Sequence, residues 1–137
     1  MKISPVRLLV LAAVSASFTL LWAIPAVAHP ATKAATITVT SGKPTEFAFT
    51  LSAKSVKHGT VTFSIINKGA LPHTFKVCSS NKGTTAANAC PGKGTAQIMP
   101  GKGGSLTVTF AKAGKYEYLC TVPAHAQNGM KGVLTVT

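Results

Sequence analysis

Acidic side chains are almost missing from this chain. Glu46 and Glu117 are its only two, against fourteen Lys and Arg, and the formal net charge is +12. Arginine is missing too once Arg7 is passed. So strong a charge first raises nucleic-acid binding. Yet the lysines stand singly from Lys33 to Lys131 without forming a run, and the usual base-reading residue is the one that is absent. A diffuse positive field fits better with steering toward acidic protein partners or an anionic membrane surface. No internal repeat occurs, and no stretch beyond the leader shows a helix-length 3.6-residue repeat.

A length of 137 residues allows one ordinary domain. Residues 1–28 begin with Lys2 and Arg7, run apolar from Leu8 to Ala28 and end in Ala26-Val27-Ala28. A positive start, an apolar middle and a small-x-small terminus describe a secretory signal peptide. The competing reading is an uncleaved anchor, because Leu8–Ala28 is long enough to span a bilayer. Ser15, Ser17 and Thr19 weaken that run, and no cysteine near the junction offers a lipid attachment. Cleavage leaves His29 as the first residue and twelve lysines against two glutamates, a charge of 12 − 2 = +10. Residues 29–35 read as a short flexible lead and 36–137 as the folded domain. The protein is expected in the periplasm or another extracytoplasmic space, as a monomer with no lasting membrane insertion after cleavage.

Cysteine is scarce, and its count is odd: Cys78, Cys90 and Cys120. In an oxidising compartment a pair should bridge and the third needs another role. Cys78 and Cys90 flank most of a Gly-, Ala-, Thr- and Asn-rich stretch. A bridge between them closes a loop of about a dozen residues, worth ~2–3 kcal/mol. No His or second Cys pair accompanies them to make a zinc site.

Elsewhere the period is two. Ile37 and Val39 share a face, as do Phe47, Phe49 and Leu51, then Val61, Phe63 and Ile65, then Leu106, Val108 and Phe110, then Leu134 and Val136. Alternation with Thr, Ser and Lys marks strands with one buried face. Turn signals such as Ser41-Gly42-Lys43-Pro44, Asn67-Lys68-Gly69 and Pro100-Gly101 separate them. Seven or so such strands indicate an all-β, Greek-key β-sandwich in a single domain.

The C-terminal segment carries the chemistry. Tyr116, Tyr118 and Cys120 share one strand face, and Pro123 and Gly129 mark a loop that returns His125 and Met130 toward the Cys120 sulfur. Thiolate, imidazole and thioether form a soft ligand set, suited to copper and unsuited to calcium, magnesium or manganese. A second imidazole comes from Leu71-Pro72-His73-Thr74-Phe75. Cysteine and two histidines with a weak axial methionine make a blue-copper electron-transfer site. Copper, held by His73, Cys120, His125 and Met130, is thus the cofactor expected.

At these residues the chain resembles the cupredoxins, the small blue-copper proteins that include plastocyanin, azurin and pseudoazurin. The likeness rests on Asn67-x-Gly69, His73-x-Phe75-x-Val77, Pro100-Gly101, Gly114-x-Tyr116-x-Tyr118-x-Cys120, and Cys-x4-His-x4-Met followed by Lys131-Gly132-Val133. It covers roughly Thr36 to Thr137. The resemblance implies an eight-stranded sandwich of mixed strands, histidines that bind through Nδ1, and a redox carrier rather than an enzyme. Many cupredoxins have Asn directly after the first histidine; Thr74 stands there, and its hydroxyl can replace part of that hydrogen bonding. The Cys78–Cys90 loop is not general in the family.

The remaining candidates are weaker. Met99 reads as a packing residue before a turn and His58 as a solvated turn residue. His29, as the first residue after cleavage, needs a further histidine for oxygenase-like copper chemistry, and only His58 is uncommitted. Ala70, Leu71, Pro72, Pro123, Ala124 and Ala126 are expected to form a small apolar patch around the site, where a redox partner with an acidic surface docks. Copper enzymes with a second centre need more than the four histidines present. A copper carrier or scavenger of the cell envelope stays open beside the electron shuttle, as does a plain secreted interaction module, which leaves Cys120 unexplained.

Overall fold

The computed structural model describes residues 34–83 and 88–137. The leader, His29 and most of the 29–35 lead lie outside the described residues. Residues 31–137 form a compact unit of their own.

Alternation becomes nine strands: β1 (Ala35–Ser41), β2 (Phe49–Leu51), β3 (Ser55–Val56), β4 (Gly59–Asn67), β5 (Lys76–Cys78), β6 (Gly92–Gly94), β7 (Gly103–Phe110), β8 (Gly114–Leu119) and β9 (Lys131–Val136). That is more than the seven or eight expected. The additions are two- and three-residue strands such as β3 and β6, too short to show a period. The described residues contain no helix. One sheet has the order β2-β1-β4-β7 and the other β3-β9-β8-β5-β6. β1 runs parallel to β4, and β3 to β9; the other pairings are antiparallel. This is a mixed-strand β-sandwich.

The inward residues of the two sheets make one core. Ile37 and Val39, Val61, Phe63 and Ile65, Phe75 and Val77, Tyr116 and Tyr118, and Leu134 and Val136 are all buried. Phe75 sits at its centre, edge-on to Phe49 with ring centroids 5.2 Å apart and tilted against Tyr118 at 5.5 Å. Such pairs add to the burial of large apolar rings. Gly132 lies against Tyr118, where any Cβ would overlap the ring.

Cys78 and Cys90 are bridged, with Cα atoms 5.5 Å apart. The bridge stands over a second, smaller apolar cluster of Cys78, Leu119 and Ala126, against which Cys90 packs. This corrects the expected patch, because Ala126 is only 3% exposed and is a buried residue of that cluster. It lies just past His125 where the loop turns inward, so the strand alternation used elsewhere does not apply to it. Met99 departs from expectation in the opposite sense. It is 52% exposed rather than packed.

Candidate metal centre

Two chain segments meet at one end of the sandwich. The first is the turn between β4 and β5. Asn67, fully buried, ends β4 and donates through Nδ2 to the carbonyls of Leu71 and Ile98, both at 2.8 Å, while its Oδ1 accepts the Gly69 N–H at 2.9 Å. This holds the 67–71 turn closed. His73 follows, locked into a two-way backbone bridge with Ile98 at 3.1 and 2.7 Å. The second segment is the loop from Cys120 to Met130. Cys120 N–H donates to the Met130 carbonyl at 3.0 Å, and Met130 N–H to the His125 carbonyl at 3.0 Å. The loop is therefore stitched shut across its own base.

The two segments bring three potential ligands together. His73, Cys120 and His125 are all buried, and their ligand atoms lie within 4.8 Å of one another. His73 Nδ1 is 3.1 Å from His125 Nδ1, which is 3.6 Å from Cys120 Sγ. Atoms that share one ion at about 2.0–2.3 Å stand roughly 3–4 Å from each other, and both of these distances fall in that range. Protonation fits as well. His73 Nε2 faces the Glu46 carboxylate at 2.8 Å, which places the ring hydrogen on Nε2 and leaves a lone pair on Nδ1. Burial holds the His125 pKa below its ordinary value of 6.5, with nearby His73 acting in the same direction. Both influences disfavour the protonated ring, against a smaller opposing pull from Glu46. Two imidazole nitrogens and a sulfur are a donor set for copper.

Met130 is fully buried and tied through its backbone to both Cys120 and His125. His58 is far from this group, exposed and within 3.1 Å of the Thr137 carbonyl through Nδ1. Thr74 does what its hydroxyl allows. Its Oγ1 accepts the Thr121 N–H at 2.7 Å and lies 2.8 Å from Thr121 Oγ1, joining the two ligand-bearing segments. Its backbone N–H points at Cys120 Sγ from 3.4 Å.

Two residues of the centre went unassigned in the sequence. Glu46 lies between β1 and β2 and accepts the N–H groups of Ala70 and Leu71 at 2.8 and 2.9 Å as well as facing His73. The two backbone donors, and then His73, hold its carboxyl below the usual carboxylate range. Gly69 leaves room for this arrangement, since a Cβ there would stand 2.5 Å from Glu46 Oε1 and 2.9 Å from His73 Nε2. Phe47, one residue on, sets its ring edge-on to His125 at 5.0 Å. The scarcity of acids was a signal for Glu46; Phe47 gave none beyond its place in an apolar alternation.

Around the centre, Ala70, Leu71, Pro123 and Ala124 are exposed and Pro72 is half-buried. His125 itself is 7% exposed, against 1% for His73. His125 is thus the histidine nearer to solvent.

Comparison with known proteins agrees with this chemistry. Residues 35–137 match the model of the copper binding proteins of the plastocyanin/azurin family. A copper-resistant cuproprotein, CopI of Rubrivivax gelatinosus, is 31% identical over 96 residues, which cover 60% of this chain and 55% of that protein. Auracyanin-B of Chloroflexus aurantiacus is 49% identical over 43 residues, 31% of this chain and 18% of that one. The chain thus spans between about a fifth and just over half of these curated relatives. Among solved structures, reduced auracyanin of Roseiflexus castenholzii superposes with a TM-score of 0.60 at 27% identity, covering 76% of this chain and 98% of that one. Rusticyanin of Thiobacillus ferrooxidans gives 0.56 at 26% identity, covering 74% and 76%. With a sandwich that presents two histidines and a cysteine to one point, and a family match over nearly all of it, the chain belongs to the copper-binding plastocyanin/azurin family, the cupredoxins.

Proposed function

We propose that this chain is an exported type 1 copper protein that carries single electrons, with His73, Cys120 and His125 as strong ligands and Met130 as the weak axial one. Bound copper supplies a one-electron couple. What this chain supplies is a cage that resists change. Its ligands sit on a bridged segment just ahead of β5 and a loop closed on itself, joined by Thr74 and Thr121. Buried side chains held at both ends move little when the ion's charge changes, and small reorganisation gives a low barrier. The observation that carries the reading is the convergence of three buried ligand atoms within 4.8 Å. His125, nearer to solvent, is the exit for the electron, and Ala70, Leu71, Pro72, Pro123 and Ala124 form the docking patch around it. The lysine-rich surface favours a partner with an acidic docking face and a monomeric carrier. Export is supported by the leader's composition and by the Cys78–Cys90 bridge, which needs an oxidising compartment. Nothing in the site favours an enzyme: of the four histidines, two bind copper, His58 stands apart and His29 belongs to the lead.

The test is the visible spectrum of residues 29–137 with Cu(II), beside Cys120→Ser. An intense thiolate-to-copper band, lost in the variant and bleached by reductant, is expected. A colourless wild-type protein overturns the proposal.

A second reading, a copper carrier or scavenger of the envelope, is favoured by the likeness to copper-resistant cuproproteins. Voltammetry and metal transfer separate the two. Fast reversible electron exchange with copper retained against a chelator supports the shuttle; rapid loss of copper to an acceptor supports the carrier.

A further inference from the structure

Each sheet ends in two edge strands, and three of these four are short: β2 and β6 have three residues each and β3 has two. β7 is different. Its eight residues, Gly103–Phe110, have a ladder partner among the described residues on one side only. Proteins commonly blunt such an edge with lysine, proline, a bulge or brevity. β7 uses none of these. Its sequence, GGSLTVTF, carries no charge and no proline. Its register with β4 runs unbroken from Phe110 opposite Gly59 to Gly103 opposite Ile66, so no bulge turns it away. Thr109 and Thr107 pair their hydroxyls with Thr60 and Thr62 at 3.1 and 3.2 Å, which holds the strand in place. In a chain this rich in lysine, an uncharged edge of about 27 Å is an open template for another strand.

Beside the second half of this edge lies a hollow of about 470 Å³, between β7 and the β5–β6 edge of the other sheet. Val77, Val108, Phe110 and Tyr116 give it an apolar lining, and all but Val108 are buried residues of the core. Lys93 on β6 and Lys112 just past β7 line it too, and among the described residues no carboxylate does. Tyr116 O–H donates to the Lys112 carbonyl at 2.9 Å, tying the apolar lining to the lysine-bearing rim. The hollow is remote from the copper. Gly103 lies opposite Ile66, next to Asn67 of the metal centre, whereas Phe110 lies opposite Gly59 at the other end of β4. Seven residues of strand, about 24 Å, separate the two ends.

We propose that the β7 edge and this hollow together bind an extended segment of a partner protein, one with a large aliphatic side chain flanked by acidic residues on the same face. Each feature selects part of that description. An open ladder is completed by another backbone, which neither a lipid nor a small molecule supplies. Strand addition draws its affinity from main-chain hydrogen bonds and its specificity from pockets for alternate side chains. The apolar lining is such a pocket and takes the aliphatic group, while Lys93 and Lys112 meet the acids beside it. A partner tethered here leaves the copper end uncovered. The inference does not depend on what the copper does.

The experiment uses residues 29–137, which include the whole compact unit 31–137. The probe is the peptide acetyl-Thr-Asp-Thr-Leu-Thr-Asp-Thr-amide, whose leucine and aspartates share one face when it is extended. Nitrogen-15 amide spectra should show shifts from Ser105 to Ala111 and slowed hydrogen exchange along β7. Replacing the leucine with serine should weaken binding about 10- to 100-fold, the worth of burying that side chain. Of two peptides N-methylated at alternate residues, one should fail to bind, because a strand adds to an edge through one side only. Lys93→Glu/Lys112→Glu should weaken the probe several-fold and favour its counterpart with lysine for aspartate. Lys43→Glu/Lys68→Glu, at the copper end, should do neither, and amide spectra of both pairs confirm that the fold is intact. Equal losses in the two pairs mean diffuse attraction and overturn the proposal. So do β7 amides that stay silent at millimolar peptide, and shifts that N-acetylleucine amide reproduces alone. So, too, do β7 shifts that appear on concentrating the protein without peptide, which assign the edge to a second copy of this chain.

Discussion

Glu46 Oε1 stands 2.8 Å from His73 Nε2, and the same carboxylate holds the Ala70 and Leu71 N–H groups. One side chain thus joins a buried ligand to the exposed turn before it, fixing both the ring's orientation and its tautomer. Partners that orient a metal-binding imidazole commonly change metal affinity 10–100-fold when removed. Glu46→Ala should therefore weaken copper binding by about that factor. In the copper-free protein, nitrogen-15 spectra should show His73 changing from one tautomer to a mixture. An unchanged tautomer with unchanged affinity shows the carboxylate to be idle.

Gly69→Ala tests the same contact from the other side. The added methyl would meet Glu46 Oε1 at 2.5 Å and His73 Nε2 at 2.9 Å, so the turn must shift. Overpacking of this kind costs about 1–3 kcal/mol. A drop of that size in denaturant unfolding is expected, with an altered thiolate-to-copper band in the loaded protein. Wild-type stability and spectrum together would show that the turn yields freely.

The ligands were legible because they are local. Cys120, His125 and Met130 lie in one loop, and His73 follows a turn whose residues announce it. Strand faces such as Val61-Phe63-Ile65 were legible because alternation is a property of the chain itself. Glu46 was not, since 27 residues separate it from His73 and only the β1–β4 pairing brings them together. Phe47 was read as a strand residue beside Phe49, but β2 begins at Phe49, leaving Phe47 free to turn onto His125. Ala126 failed for a related reason: a loop has no period, and which of its small residues faces inward depends on the turn.

Thr74 joins the ligand segments through a hydroxyl that accepts the part-buried Thr121 N–H at 2.7 Å. Valine keeps the shape and removes the acceptor. An unsatisfied buried donor costs about 1–3 kcal/mol. Thr74→Val should lower unfolding stability within that range, and Thr74→Ser should restore most of it. Equal stability for valine and serine would mean that water replaces the hydroxyl without loss.

The copper-free protein should lose stability in two acid steps. The folded pKa of His125 lies below 6.5, so the unfolded chain binds a proton that the native state refuses. Stability from this group is complete above about 6.5 and declines as the pH falls below it. Glu46 is a depressed carboxyl, so its contribution is complete above 4.5 and is lost as the pH falls through its lower folded value. Denaturant midpoints at pH 7.5 and 5.5 isolate the first step. His125→Asn should flatten the slope between them; an unchanged slope would assign the proton uptake elsewhere.

Electron exchange should follow charge and patch together. A surface with excess lysine attracts anionic oxidants and repels cationic ones, and salt screens both effects. Ferricyanide should therefore oxidise the reduced copper protein faster than a cationic cobalt complex of similar driving force, and added salt should bring the rates together. Ala124 is exposed beside His125. Its φ of 66° is no harder for Glu than for Ala, because the penalty there belongs to the Cβ both share. Ala124→Glu thus leaves the backbone as it is and places a negative charge at the electron's exit. Ferricyanide oxidation should slow several-fold and the cationic oxidant should speed up, with the visible spectrum unchanged. If both rates stay at wild-type values, electrons leave by another face and the docking patch around His125 is wrong.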